Sequence, residues 1–205
     1  MSRLPTKRRR GAALSAGVLV LAVAGCSTTV SPRPAPADTV VLVAVPGGVA
    51  ASSLRHGPFR EEAGRSWGFS HDELGAALAA SHIGPRLTAT AGPEVTESIL
   101  VEQCWGDIDA VRARRAVTPP LSDRRPSSDL DPTAFYFRVI AGDGNGAQVV
   151  VSLLAETAQA RARGGYSRVD VTLRRFEGDW QLRVPVQVPQ LHLDRSRYEL
   201  LGPTP

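Results

Sequence analysis

Apolar and polar positions alternate with a period of two through most of residues 134 to 184. In "AFYFRVIAG", Phe135, Phe137 and Val139 share one face. In "YSRVDVTLRRF", Val169, Val171 and Leu173 point one way, and Arg168, Asp170, Thr172 and Arg174 point the other. "WQLRV" sets Trp180, Leu182 and Val184 against Gln181 and Arg183. The apolar run "AQVVVSLLAETA" lies between the turn signal "GDGNG" (142–146) and the third strand, and "EGD" turns into the last. This pattern predicts four consecutive antiparallel strands with one buried and one wet face.

The preceding segment changes period. After a short apolar strand, "TVVLVAV", the spacing becomes helical. "SHDELGAALAASHIG" places Ser70 three residues before Glu73, a capping box, and puts Leu74, Ala77 and Leu78 on one face before Gly84-Pro85 stops it. Gly75 and Ala79 allow close helix packing. "GPEVTESILVEQCW" opens with Pro93 in the first turn and predicts Cys104 and Trp105 at its helical end. "GDIDAVRARRA" has Asp107 as N-cap and Arg112, Arg114 and Arg115 at the negative end of the dipole. Residues 118–132 read as loop. The expected class is α+β: N-terminal helices packed on a curved four-stranded antiparallel sheet. One domain is expected over 40–188. A Pro-containing tail follows over 189–205, with a short docked segment around Tyr198 to Leu201.

The first 39 residues have a different character. Arg3, Lys7, Arg8, Arg9 and Arg10 form a cationic region, and Gly11 to Ala24 an apolar one. Fourteen helical residues reach only ~21 Å, short of a ~30 Å hydrocarbon core, so the segment reads as an export signal over 1–25. Sec export fits, and the arginine cluster leaves the twin-arginine route open. Val23-Ala24-Gly25-Cys26 resembles a bacterial lipobox. That resemblance implies a diacylglyceryl group on the Cys26 thiol and a membrane anchor on the extracytoplasmic face. Residues 26–39 hold the lipidated cysteine and a proline-rich tether, long enough at ~3.1 Å per residue to stand a domain ~40 Å off the surface.

This address changes the charge argument. The chain has 24 basic and 20 acidic side chains. Five of the basic ones precede Cys26, so a cleaved chain holds 19 against 20. The basic pI belongs to the signal and gives no reason to expect a nucleic-acid partner. Cys104 then has no disulfide partner, and an inert buried thiol is expected. His71 and His82 fall eleven apart on the predicted helix, ~16 Å along its axis, too far for one metal. Solvated or capping roles are expected for both. Ser70-His71-Asp72 in tandem is no catalytic triad, since triad members meet through folding. Asp109, Tyr136 and Asp170 are the candidates for a pocket base, although alternation points Asp170 away from Val169 and Val171. No cofactor or metal is called for, and no catalytic residue is named.

The helical front, the antiparallel sheet and the "strand, Glu-Gly-Asp-Trp, strand" ending resemble the nuclear-transport-factor-like, or cystatin-like, cone fold. "VAVPGGVA", "HGP" (56–58), "WGFSH" (67–71) and "GAALAA" (75–80) are similar to exported actinobacterial proteins, some linked to conjugative elements. The broad fold hosts enzymes, conjugation and secretion scaffold subunits and ligand carriers, so the resemblance does not choose among them. The lack of a recognisable catalytic context favours a non-catalytic binding or assembly module whose partner is a cell-envelope, conjugation or secretion protein. The alternative is a small-ligand carrier or enzyme using the cone-shaped pocket. A purely structural or inhibitory surface protein is a third reading. Arg168, Arg174 and Arg183, on the wet strand face, are the expected partner contacts.

Overall fold

The computed structural model describes residues 39–117 and 128–202. The signal segment, Cys26 and the tether up to residue 38 lie outside the described residues. So does most of the loop expected at 118–132.

Four strands precede the first helix, where the sequence reading expected one. β1 (Val40–Val45) and β2 (Gly48–Ser53) form a hairpin closed by Pro46-Gly47. Gly47 has φ +85°, and a Cβ there would strike the Pro85 carbonyl, so the turn requires glycine. A second hairpin joins β3 (Arg60–Glu62) to β4 (Arg65–Trp67). Then follow α1 (Glu73–Arg86), α2 (Pro93–Glu102), β5 (Cys104–Gly106) and α3 (Ile108–Val117). The chain continues through β6 (Pro132–Gly142), β7 (Gln148–Thr157), α4 (Ala158–Arg161) and β8 (Tyr166–Phe176). It ends with β9 (Asp179–Val184), β10 (Gln190–His192) and β11 (Glu199–Gly202).

The expected cystatin-like cone, a curved four-stranded sheet under N-terminal helices, is therefore incorrect. The meander β6-β7-β8-β9 is present, but it forms the middle of a seven-stranded sheet in the order β11-β6-β7-β8-β9-β5, with β10 also on β8. β5 pairs parallel to β9, so the sheet is mixed. The missed strands are three to six residues long, too short for a readable alternation.

Alternation within the long strands decides the core. Phe135, Phe137, Leu153, Val171, Leu173, Trp180, Leu182 and Val184 pack under α1 in one cluster. From Gly75 to Ile83 every residue of α1 is buried. The helix is apolar nearly all round because it lies between two layers: the large sheet on one side, the β1–β2 hairpin on the other. Its N-cap is Asp72, which accepts from the Gly75 N–H at 2.7 Å, not Ser70 as the capping-box spacing suggested. Pro85 lies inside the last turn. α2 does begin at Pro93, and the Asp107 side chain does accept from Ala110 N–H at 2.9 Å to open α3. Cys104 is on a strand instead of a helix, because the helical phase stops at Gln103 and the chain extends to pair with β9.

The tail is more than an extended segment. β10 pairs with β8 and β11 with β6, so residues 193–198 cross the outer face of the sheet between them. There Arg195 donates to the Tyr136 hydroxyl at 2.6 Å, and the hydroxyls of Tyr198 and Ser152 are 3.0 Å apart. This strap covers a small second cluster of Ala134, Tyr136 and Leu154. Leu201 is fully buried.

Candidate functional site

The three arginines expected to meet a partner do share the outer face, but they do not form one group. Arg168 is engaged on its own strand: its guanidinium holds Asp170, with Nε 3.0 Å from Oδ1. Burial alone would raise the Asp170 carboxyl, but the Arg168 and Ser152 hydrogen bonds outweigh it and hold the group below its ordinary value. Arg174 and Arg183 instead meet at Trp105. The Arg174 guanidinium lies 4.7 Å from the Trp105 ring centre and that of Arg183 5.6 Å. Arg174 also reaches Phe176 at 5.3 Å, and its Nη2 donates to the Gln181 side-chain oxygen at 2.9 Å.

This arrangement follows from the sheet. β5 lies beside β9 with Trp105 opposite Arg183, and β9 lies beside β8 with Gln181 opposite Arg174. One outward row across three strands thus collects Trp105, Arg183, Gln181 and Arg174. Next to it, a groove of about 590 Å³ separates the β8–β9 turn from α2 and the β3–β4 hairpin. Its far wall carries Trp67, with Arg60 4.5 Å and Arg65 4.9 Å from the ring centre. Phe176 and Val101 are exposed on its rim. Arg65 is paired with Glu102. Among the described residues Arg60, Arg174 and Arg183 have no carboxylate partner. Glu177 and Asp179 also line the groove. Asp179 is occupied by the Gly68 N–H at 2.7 Å and the Trp180 N–H at 2.8 Å.

Trp105, Trp67 and Arg60 were missed from sequence. The available signal was composition: two of the three tryptophans fall beside arginine-bearing strands instead of inside the alternating core pattern.

The groups suggesting acid–base chemistry are elsewhere. Ser70 and Asp72 do assemble with a histidine, but it is His56, not His71. Ser70 Oγ and Asp72 Oδ2 both approach the same ring nitrogen, Nδ1, at 2.9 and 3.0 Å, and Ser70 donates to Asp72 Oδ1 at 2.7 Å. A proton relay needs serine and carboxylate on opposite ring nitrogens. This knot is instead the cap of α1. His71 precedes the helix and bonds the Gly178 carbonyl at 2.7 Å, joining α1 to the β8–β9 turn. His82 is neither solvated nor capping. It is fully buried, 3.0 Å from the Ala51 carbonyl through Nε2. Arg86, also buried, donates to Ser66 Oγ at 2.7 Å and to the Gly64 carbonyl at 2.5 Å. Burial pushes the Cys104 thiol up to about 12. Asp109 is exposed on α3 with Arg112, and Tyr136 and Asp170 face the strap. None of the three base candidates enters a cavity under α1. Among the described residues, no group of three or more His, Cys, Asp or Glu is placed to hold a metal ion. No described helix is long and apolar enough to cross a membrane.

A second concavity lies where α1 ends. An apolar cavity of about 350 Å³ separates Ala80, Ser81 and Gly84 from the sheet at Leu153, Val169 and Val171. It adjoins a wider outer cleft of about 770 Å³ bounded by the β1–β2 turn, α4 and β10.

No curated protein and no solved structure matches the chain. A family model described as "Domain of unknown function (DUF8175)" matches residues 9–197, nearly the whole sequence, and the chain belongs to that family.

Proposed function

We propose that this chain is a non-catalytic, lipid-anchored binding module on the extracytoplasmic face of a bacterial membrane. It is held through diacylglyceryl on Cys26, and it docks a cell-envelope protein of the conjugation or secretion type. The observation that carries the docking is the bracketing of Trp105 by Arg174 and Arg183 beside exposed Phe176. Tryptophan and arginine are the residues most enriched at interface hot spots. Here they sit on a rigid three-strand row, so little side-chain freedom is lost on docking. The guanidiniums that lack a carboxylate select a partner whose contact segment has carboxylates beside apolar side chains. The anchor rests on the lipobox-like sequence and on the tether that follows it.

Crosslinking in intact membranes tests the reading. A photoreactive residue at Val101, on the groove rim, should give one dominant protein adduct. Reversing Arg174 and Arg183 to Glu together should abolish that adduct while the melting temperature stays within a few degrees. An adduct that persists in the folded double variant refutes the surface. In parallel, Cys26→Ala should release the protein from carbonate-washed membranes, and full retention refutes the anchor.

A further inference from the structure

Between β9 and β10 the edge of the sheet is interrupted. β9 pairs with β8 as far as Leu182 opposite Leu173, and β10 resumes with Gln190 opposite Arg168. The four residues 169–172 on β8 thus face seven, residues 183–189, on the neighbouring edge. With three residues in excess, this stretch does not stay in register with β8, and Val186, Gln187 and Pro189 become one lip of the inner cavity.

Both remaining walls are short of side-chain volume at this place. α1 offers Ala80, Ser81 and Gly84, the glycine suiting its position before Pro85, and the larger Pro85 and Leu87 close the wall only at the end of the helix. The inner face of the sheet is filled by Val149, Val151, Leu153, Val169, Val171 and Leu173 as far as the helix covers it. It then drops to the directly paired Ala155 and Ser167, with the bulk of the row supplied by Phe135 opposite Ala155 on β6. These two residues line both the inner cavity and the outer cleft and form the floor that joins them. The inner part has no charged lining residue and none of the buried unpartnered polar atoms. Its polar side chains are Ser81, Thr88, Ser167 and Gln187, so a charged group would find no ion pair there. The trough under Val171, Val169 and Ser167 runs ~13 Å at ~3.3 Å per strand residue. The outer cleft differs. It is ringed by Thr90, Gln159, Gln190 and the exposed Arg163, with Asp131 on the opposite lip. Among the described residues, Arg163 has no carboxylate partner.

We propose that this two-part cleft binds a single-chain anionic amphiphile, its aliphatic chain under Ala155 and Ser167 and its acidic head at Arg163. A narrow apolar inner part and a wider polar mouth match the usual composition of ligand pockets. An inner cavity of about 350 Å³ has room for one aliphatic chain, so a free fatty acid fits where a diacyl lipid does not. The site is separate from the Trp105 surface and does not depend on it.

The test uses the full-length protein in native membranes and a photoreactive, clickable hexadecanoic acid as the probe. Labelling should saturate, compete with unlabelled hexadecanoate and map to residues 167–191. Ser167→Leu and Ala155→Leu extend side chains into the trough from two different strands. Each should lower labelling roughly tenfold, the effect of losing about two buried methylene contacts. A melting curve confirms that each variant is folded, and one folded variant suffices. Arg163→Gln should weaken competition by hexadecanoate but not by the neutral alcohol of the same length. Labelling unchanged in a folded trough variant overturns the proposal. So does labelling confined to the segment before residue 39, or a photoreactive diacyl phospholipid that competes as well as the fatty acid.

Discussion

Nη1 of Arg86 lies 2.7 Å from the carbonyl oxygen of His82, one helical turn back, and 3.3 Å from Nδ1 of its ring. A guanidinium is always a donor, so Nδ1 must accept and the proton sits on Nε2. Nε2–H then points at the Ala51 carbonyl. The ring is thus neutral by geometry, and α1 is tied through it to the β1–β2 hairpin. Burial first, and the neighbouring Arg86 charge second, push the His82 pKa from 6.5 down to about 3.

That depression makes stability depend on pH in a definite direction. Between pH 3 and 6.5 the unfolded chain binds a proton at this histidine and the folded chain does not. Stability therefore rises with pH across the window and is fully present above about 6.5. Lowering the pH from 6.5 to 5 should cost about 2 kcal/mol through this group. For a chain of this size the melting temperature should fall by roughly 4–8 °C. His82→Gln should flatten the dependence over pH 5–7, whatever its effect on absolute stability. An unchanged slope in a folded variant would contradict the neutral, buried assignment.

Cys104 should be silent to thiol reagents. Its sulfur is buried on β5, and its pKa of about 12 leaves almost no thiolate at neutral pH. In a Cys26→Ala background it is the only thiol. Ellman's reagent should then detect none in the native protein and one per chain in denaturant. Labelling should proceed at the unfolding rate. Rapid stoichiometric reaction under native conditions would mean the strand edge opens.

The two halves of the chain differed in how readable they were. β6 to β9 are long enough for alternation to set the face of each residue, so Val169, Val171, Trp180, Leu182 and Val184 are buried or half-buried under α1 as their parity required. β3, β4, β5 and β10 each have three residues and no usable period. Cys104 looked helical because "ESILVEQC" keeps an apolar spacing right up to the point where the backbone extends. His82 looked solvated because two of its partners, Ala51 and Ser66, come from distant strands, and Arg86 one turn on does not by itself mark a buried polar network. Arg174 and Arg183 were correctly placed on the outer face. Their convergence on Trp105 depends on β5 adding parallel to β9, a pairing no local pattern encodes.

Trp180 is the largest fully buried side chain among the described residues, and its Nε1 donates to the Ser70 carbonyl at 2.9 Å. Trp180→Ala removes the packing and orphans that carbonyl, and should cost about 3–5 kcal/mol. Trp180→Phe keeps most of the volume and should cost about 1–3 kcal/mol, chiefly the lost hydrogen bond. Denaturant midpoints for the pair should follow that order. A Phe variant as damaging as the Ala variant would place the weight on the hydrogen bond instead of the packing.

Gly75 puts helix propensity and local packing in opposition. Near the start of α1, alanine in place of glycine is normally worth about 1 kcal/mol in stability. Here a Cβ would run into the Ser70 carbonyl oxygen and hydroxyl. Ser70 has no freedom to give way. Its N–H bonds the His56 carbonyl at 3.0 Å, its hydroxyl holds Asp72 at 2.7 Å, and its carbonyl holds the Trp180 indole. Moving it would strip the helix cap and unseat Trp180 together. Overpacking against so constrained a neighbour should outweigh the propensity gain, leaving Gly75→Ala less stable by about 1–3 kcal/mol. At Ala79, where the helix interior is ordinary, the reverse change to glycine should cost the usual ~1 kcal/mol plus the lost methyl. Urea unfolding of both variants makes the comparison. If Gly75→Ala matches or exceeds the parent in midpoint, Ser70 can move, and the cap is softer than its hydrogen bonds imply.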